Sequence, residues 1–240
     1  MKFMTWNIKD GGALDLKNPQ RSNIGNILEV IKTENPDVAI LQEYQSEFYF
    51  EMIMDGLNRL SYTCSVCTDH PDRTLRKRVL IASKIPFHDV EPPADLLDYS
   101  RRNWREIVLN PESAPIHILG VHVPSATITD YSGKIIPNSR EKRLFLKVLK
   151  HKFVEFAASN VPCLVCGDFN LHSNAEYSQY LEEFSDYLTD ITSKDATYGG
   201  FKLDYIFANN PLKELVKPDA GATPHATNFS DHKYLCVETA

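Results

Sequence analysis

The sequence predicts an α/β protein whose sheets mix parallel and antiparallel strands. Short apolar runs bounded by Gly, Pro, Asn or Asp read as strands, and segments with helical apolar spacing separate some of them. In the second quarter and near the end, strand follows strand with no helix between, which excludes a strict alternation of strand and helix.

Lys2 to Asn7 opens the chain as a strand. Ser22 can cap a helix with Ile24, Ile27, Leu28 and Ile31 on one face, and Pro36 stops it. Val38 to Gln42 is the next strand; Phe50, Ile53, Met54 and Leu57 mark a second helix. Tyr62 to Cys67, Val79 to Ser83, Glu106 to Leu109 and Ile116 to Val123 follow as strands. The Pro-rich stretch at Glu91 to Ala94 and the polar stretch from Thr127 to Asn138 read as long surface loops, a class that often carries function. The best helix runs from Ser139 to Ala158, striped by Leu144, Phe145, Val148, Leu149, Phe153 and Phe156. Val161 to Gly167 is a strand, Glu176 to Tyr187 a helix, and Leu203 to Phe207 and Tyr234 to Glu238 are the last strands.

At 240 residues, with 42% apolar and 24% charged side chains, the chain fits one ordinary globular domain spanning 1–240 and excludes disordered or repeat architectures. The net charge of −6, from 26 basic and 32 acidic residues, argues against a generic nucleic-acid binder but leaves room for a local basic groove. No apolar run approaches the roughly 18 to 20 residues of a transmembrane segment, and no signal-type core follows Met1. Cys64, Cys67, Cys163, Cys166 and Cys236 are too sparse for a disulfide framework, so reduced thiols and a cytoplasmic location are expected. In a strand, Cys163 and Cys166 point to opposite faces and cannot readily share one metal.

Several apolar strands end in a residue suited to catalysis. One leads to Asn7, another to Glu43, a third to His122, and Leu164-Val165-Cys166-Gly167 leads to Asp168 and Asn170; Ser230-Asp231-His232 precedes the last strand. If these strands share sheets, one rim gathers these side chains. Each has an ordinary reading when taken alone, as a turn residue, a solvated helix start or a packed histidine. Together, converging carboxylates call for a cation, and oxygen ligands from Glu43, Asp231 and Asn7 favour Mg²⁺ or Mn²⁺ over zinc.

Thr5-Trp6-Asn7, Leu41-Gln42-Glu43, Gly167-Asp168-Phe169-Asn170, Leu203-Asp204-Tyr205 and Ser230-Asp231-His232, in this order across the chain, resemble the motifs of the endonuclease/exonuclease/phosphatase superfamily, the deoxyribonuclease-I-like fold. The resemblance implies a four-layer α/β sandwich of two packed mixed β-sheets flanked by helices, and Mg²⁺-dependent in-line hydrolysis of a P–O bond. It implies that Glu43 is the principal metal ligand, supported by Asn7 and Asp231. Asp168 would activate the attacking water and Asn170 would hold that water or a phosphate oxygen. His232, oriented by Asp204, would stabilise phosphoryl charge, and His122 would contact the phosphate from the other side or assist the leaving group. Asn7 and Asp204 keep the alternative of acting only through their neighbours.

Val121-His122-Val123-Pro124-Ser125 departs from the abasic-site nucleases and resembles the His-bearing arm, which includes deoxyribonuclease I, sphingomyelinases and deadenylases. Arg140 matches an Arg common at the start of the following helix, although Arg143 replaces the usual Gln. Arg73, Arg76, Lys77 and Arg78, and Arg101, Arg102 and Arg105 around Trp104, could grip phosphate and stack a base; the other reading is a solvated charge run with Trp104 packed inside. The expected function is a phosphodiesterase on nucleic acid, the expected state a monomer. A phosphorylated small molecule or lipid head group is the alternative substrate, and a non-catalytic binding module is a third class.

Overall fold

The computed structural model describes residues 1–12, 22–45, 50–66, 77–110, 114–129, 134–172, 176–217 and 222–240. In chain order the elements are β1 (Lys2–Asn7), α1 (Ile24–Glu34), β2 (Val38–Gln45), α2 (Phe50–Arg59), β3 (Thr63–Val66), β4 (Lys77–Ser83), β5 (Phe87–Val90), β6 (Trp104–Leu109), β7 (Ile116–His122), β8 (Thr127–Thr129), β9 (Ile135–Pro137), α3 (Ser139–Ala157), β10 (Cys163–Asp168), α4 (Gln179–Tyr187), β11 (Thr189–Asp190), β12 (Asp204–Ala208), α5 (Asn210–Lys213), β13 (Pro224–His225) and β14 (Tyr234–Glu238). Arg73, Arg76 and Cys67 lie outside the described residues.

Two six-stranded sheets run β13-β14-β1-β2-β4-β3 and β11-β12-β10-β7-β6-β5. Strand alternation explains why they stack. On β1, Phe3 joins Val38, Ile40, Val79, Ile118, Leu164 and Cys166 in the core between the sheets. Met4 and Trp6, one residue out of phase, pack outward beneath Ile24, Ile27 and Ile31 of α1 and Ile53 and Leu57 of α2. On β10 the same period sends Leu164 and Cys166 inward, and Cys163 and Val165 outward under Phe145, Phe153 and Phe156 of α3 and Phe184 of α4. The outcome is the expected four-layer sandwich of helices, two mixed sheets and helices, and the two cysteines point apart as expected.

Several boundaries differ from the sequence reading, each for a local reason. Asn23, not Ser22, precedes α1, and no side-chain cap forms there; the backbone bond from Asn23 N to Gly12 O, 2.7 Å, fixes the helix entry instead. The stretch read as a loop at 127–138 contains the β8-β9 ribbon, with Thr127 opposite Pro137. β5, β11 and β13 went unrecognised because edge strands of two to four residues carry little periodic pattern.

The register gathers the site. Each sheet holds one parallel pair, β1 with β2 and β7 with β10, so both pairs end on the same rim. Asn7 lies opposite Gln42, and Asp168 lies between His122 on one side and Asp204, the first residue of antiparallel β12, on the other. Among the described residues no helix is long and apolar enough to cross a membrane.

Candidate active site

Two backbone irregularities aim the site. At a bulge between Leu41 and Tyr44, Glu43 takes a left-handed φ of 61°, and Asn170, just past β10, takes 48°. Such conformations are strained for side chains with a Cβ and tend to occur where function fixes them. Gly167 (φ 140°) lets β10 approach β7 so closely that a Cβ would lie 1.9 Å from Val121 O. Gly167→Ala is therefore expected to cost about 3 kcal/mol or more, measured by urea unfolding; a loss below about 1 kcal/mol would show that the strands can part here.

Asp168 is the hub of the cleft. Its Oδ2 accepts from Asn7 Nδ2 at 3.0 Å and from Asn170 Nδ2 at 3.3 Å, and its Oδ1 accepts from Asn170 N at 2.8 Å. His122 Nε2 stands 3.6 Å from Oδ2, and His232 Nε2 3.9 Å. His232 Nδ1 donates to Asp204 Oδ2 at 2.9 Å, leaving Nε2 toward Asp168. Thr197 Oγ1 accepts from the Asp204 backbone N at 3.1 Å, and the Tyr198 ring leans on His232 with centroids 4.6 Å apart. Asp204 Oδ1 is buried with no hydrogen-bond partner among the described residues.

These surroundings drive the groups apart in protonation. Burial, then the charge of Asp204, raises Asp168 above its usual range. Burial lowers His122, which is neutral at ordinary pH. Burial also works against His232, but the hydrogen bond and charge of Asp204 override it and raise the imidazole to about 9. A neutral and a cationic imidazole thus flank one buried carboxyl group.

Glu43 lies across His122 from this cluster, with Oε1 3.9 Å from His122 Nε2. Its Oε2 accepts from Asp10 N at 2.8 Å and from Lys77 Nζ at 2.6 Å. Burial opposes its ionisation, yet Lys77 and His122 hold its pKa at about 2. Asp231 is exposed and pairs with Lys9 Nζ at 2.9 Å. Asn7 is fixed on three sides, with its Oδ1 accepting from Lys9 N at 3.0 Å and its backbone O from Ser230 Oγ at 2.7 Å. The ligand atoms of Asp168, Asp204 and His232 lie within 4.8 Å of one another and form a second place where a cation could be held.

Of the two readings of the Trp104 cluster, the structure has the packed one. Trp104 is fully buried, edge-on to Phe145 at 5.9 Å, and offers no face to a base. Arg105 is committed to Asp89 and Ser65, and Arg101 Nε lies 3.5 Å from Asp98. Arg140 is exposed at the start of α3.

Asp10 and Lys142 escaped the sequence reading. Asp10, three residues past Asn7, had only its proximity to that motif as a signal. Lys142 is buried on α3 and donates to Asn170 O at 2.6 Å, holding the left-handed residue in place, and burial lowers its pKa to about 8. Beside it a groove of about 340 Å³ is lined by Lys142, Asn170, His172, Tyr198, Phe201 and Leu203. Exposed Tyr198 and Phe201 flanking Gly199-Gly200 were its sequence signal.

The structure is similar to an AP endonuclease from Archaeoglobus fulgidus, with TM-score 0.75 and 17% identity, covering 100% of this chain and 99% of that one. A 3'-5' exonuclease from Neisseria meningitidis superposes with TM-score 0.72 at 15% identity, over 100% of this chain and 99% of that one. The human Nocturnin catalytic domain gives 0.69 and 18%, over 100% and 94%. At these identities the likeness is one of fold. No curated protein sequence matches the chain. The sequence model described as Endonuclease/Exonuclease/phosphatase family matches residues 4–232, a span that holds every side chain of the cleft, and the chain belongs to that family of hydrolytic phosphoesterases.

Proposed function

We propose that the chain is a Mg²⁺-dependent phosphodiesterase that acts on nucleic acid by in-line attack of water. The observation that carries this reading is the buried carboxyl of Asp168 between a neutral His122 and a cationic His232. Environments that push neighbouring groups apart in this way separate the base from the charge stabiliser. Asp168, held by Asn7 and Asn170, orients the water and takes its proton. His232, oriented by Asp204, neutralises charge growing on the phosphoryl oxygens. His122 contacts the phosphate from the opposite side and, being neutral, can assist the leaving oxygen by donating a hydrogen bond from its one N–H.

The donor set fits a hard cation. Glu43 is ionised down to pH about 2 and, with Asn7 and Asp10 beside it, presents oxygen ligands. Glu43 and Asn7 would hold the ion, with Asp231 at the rim. When bound, a divalent ion would neutralise phosphate charge, as in-line displacement requires. A fold neighbour described as a 3' phosphatase bound to a product DNA hairpin supports nucleic acid as the substrate class. The net charge of −6 favours a small phosphorylated molecule or lipid head group as the second reading. Residues 1–240 would act as one domain and as a monomer in the cytoplasm.

The test is Mg²⁺-dependent product release from single-stranded DNA, duplex DNA, RNA, bis(p-nitrophenyl) phosphate and inositol phosphates. Turnover of the diesters, abolished by EDTA, is expected. Glu43→Ala should raise the Mg²⁺ concentration needed for half-maximal rate by about 10–100-fold. Turnover of inositol phosphates alone would favour the second reading, and no turnover of any would leave a binding module.

A further inference from the structure

Glu43 does not meet the cleft with a free carboxylate. Lys77, the first residue of β4, pairs with Gln45 just beyond the bulge that turns Glu43 outward. Its Nζ lies 2.6 Å from Glu43 Oε2 and 2.9 Å from Asp10 Oδ1. Backbone contacts hold Lys77 and Asp10 in place around Glu43. The Lys77 carbonyl accepts from Arg102 Nη1 at 2.9 Å. Lys9, Asp10, Gly11 and Gly12 form a run of positive φ (44°, 50°, 65° and 81°) that turns the chain back, so that Asp10 N reaches Glu43 while its carboxylate reaches Lys77. One ammonium therefore sits between two carboxylates in the place a bound cation would neutralise. It is a compact charge on a flexible stem, about a third exposed.

We propose that Lys77 is a tethered cation that occupies the Glu43–Asp10 carboxylate pair until a divalent ion displaces it, so that Lys77 sets the metal affinity of the site and Asp10 is a further carboxylate facing the ion. The inference rests on the metal-dependent reading above and concerns this chain's own competitor for that ion. An ammonium a few ångströms from an incoming divalent ion opposes it directly, and releasing the carboxylates costs their ion pairs. Removing the ammonium leaves two carboxylates uncompensated, which favours the divalent ion.

The experiment is direct Mn²⁺ binding without substrate, read from the electron paramagnetic resonance signal of free Mn²⁺. Lys77→Met is expected to lower Kd by about tenfold or more, while Lys77→Arg, which keeps the charge, stays near wild type. Glu43→Gln should weaken binding in both the wild-type and Lys77→Met backgrounds. If wild type binds Mn²⁺ and Lys77→Met binds no tighter, the Lys77 inference falls alone. If neither binds, the metal-dependent reading falls and takes the inference with it. Should Lys77→Met fail to fold, the wild type decides: the ¹⁵N signal of the Lys77 ammonium should shift as Mg²⁺ is added, and a signal unmoved at saturating Mg²⁺ would overturn the proposal.

Discussion

Asp168→Asn should lower kcat by about 10³-fold or more on any diester the protein hydrolyses, with a far smaller change in KM. The substitution keeps the size of the side chain and an acceptor for Asn170 N, now 2.8 Å from Oδ1. It removes the carboxylate proposed to take the proton of a water between His122 and His232. Because Asp168 is buried and faces the charge of Asp204, its carboxylate is held at a cost, and an amide relieves that repulsion. At the Oδ2 position the amide sets its NH₂ against the donors Asn7 Nδ2 and Asn170 Nδ2, so two lost hydrogen bonds offset that relief, and the melting temperature should change far less than activity. Steady-state kinetics and thermal unfolding on the same preparation check this. Retention of more than a tenth of wild-type kcat would remove Asp168 from the role of base.

Asp204→Asn tests the opposite charge. In the wild type His232 stays cationic up to about pH 9 because Asp204 outweighs the effect of burial. An amide at 204 removes that support, and the imidazole returns to its ordinary value near 6.5 or below. The alkaline limb of kcat/KM should move from about pH 9 to pH 6.5 or lower. From the titration alone, the rate at pH 8 should drop by about 30-fold, and lost orientation adds to that. Stability has the same sign. A histidine raised on folding contributes fully below its unfolded value, and that contribution is lost as pH rises through the folded one. Urea unfolding of the wild type should therefore show a loss on the order of 3 kcal/mol between about pH 6.5 and 9 that Asp204→Asn lacks. An alkaline limb that does not move in the variant would assign it to another group.

The catalytic floor was legible because each of its residues interrupts or ends an apolar run. Asn7, His122 and Asp168 are the last residues of β1, β7 and β10, and Glu43 stands at the bulge in β2, so a polar side chain breaking each apolar run is visible without coordinates. The layer order was legible for the same reason, since strict alternation on β1 and β10 assigns one set of side chains to each neighbouring layer. What governs the charge at Glu43 was not legible. Lys77 reads as one member of a basic run, and only the β2–β4 register and the left-handed turn at Asp10 bring its ammonium onto the carboxylates. Trp104 among arginines left two readings open. Composition allowed a platform or a packed indole, and the pleat of β6 selects the second by turning the indole into the core and Arg105 to the other face.

The bond from Ser230 Oγ to Asn7 O joins groups 223 positions apart, and the N-terminal amine of Met1 reaches Thr239 over 238. One flank of β1 has no partner until β14 arrives, and His232 reaches Asp168 only when that strand is in place. Closing so long a loop is entropically dear and slow relative to local contacts. Asp168 and His232 therefore face each other only when β14 is paired with β1, so the charges of the cleft report on a contact between distant parts of the chain.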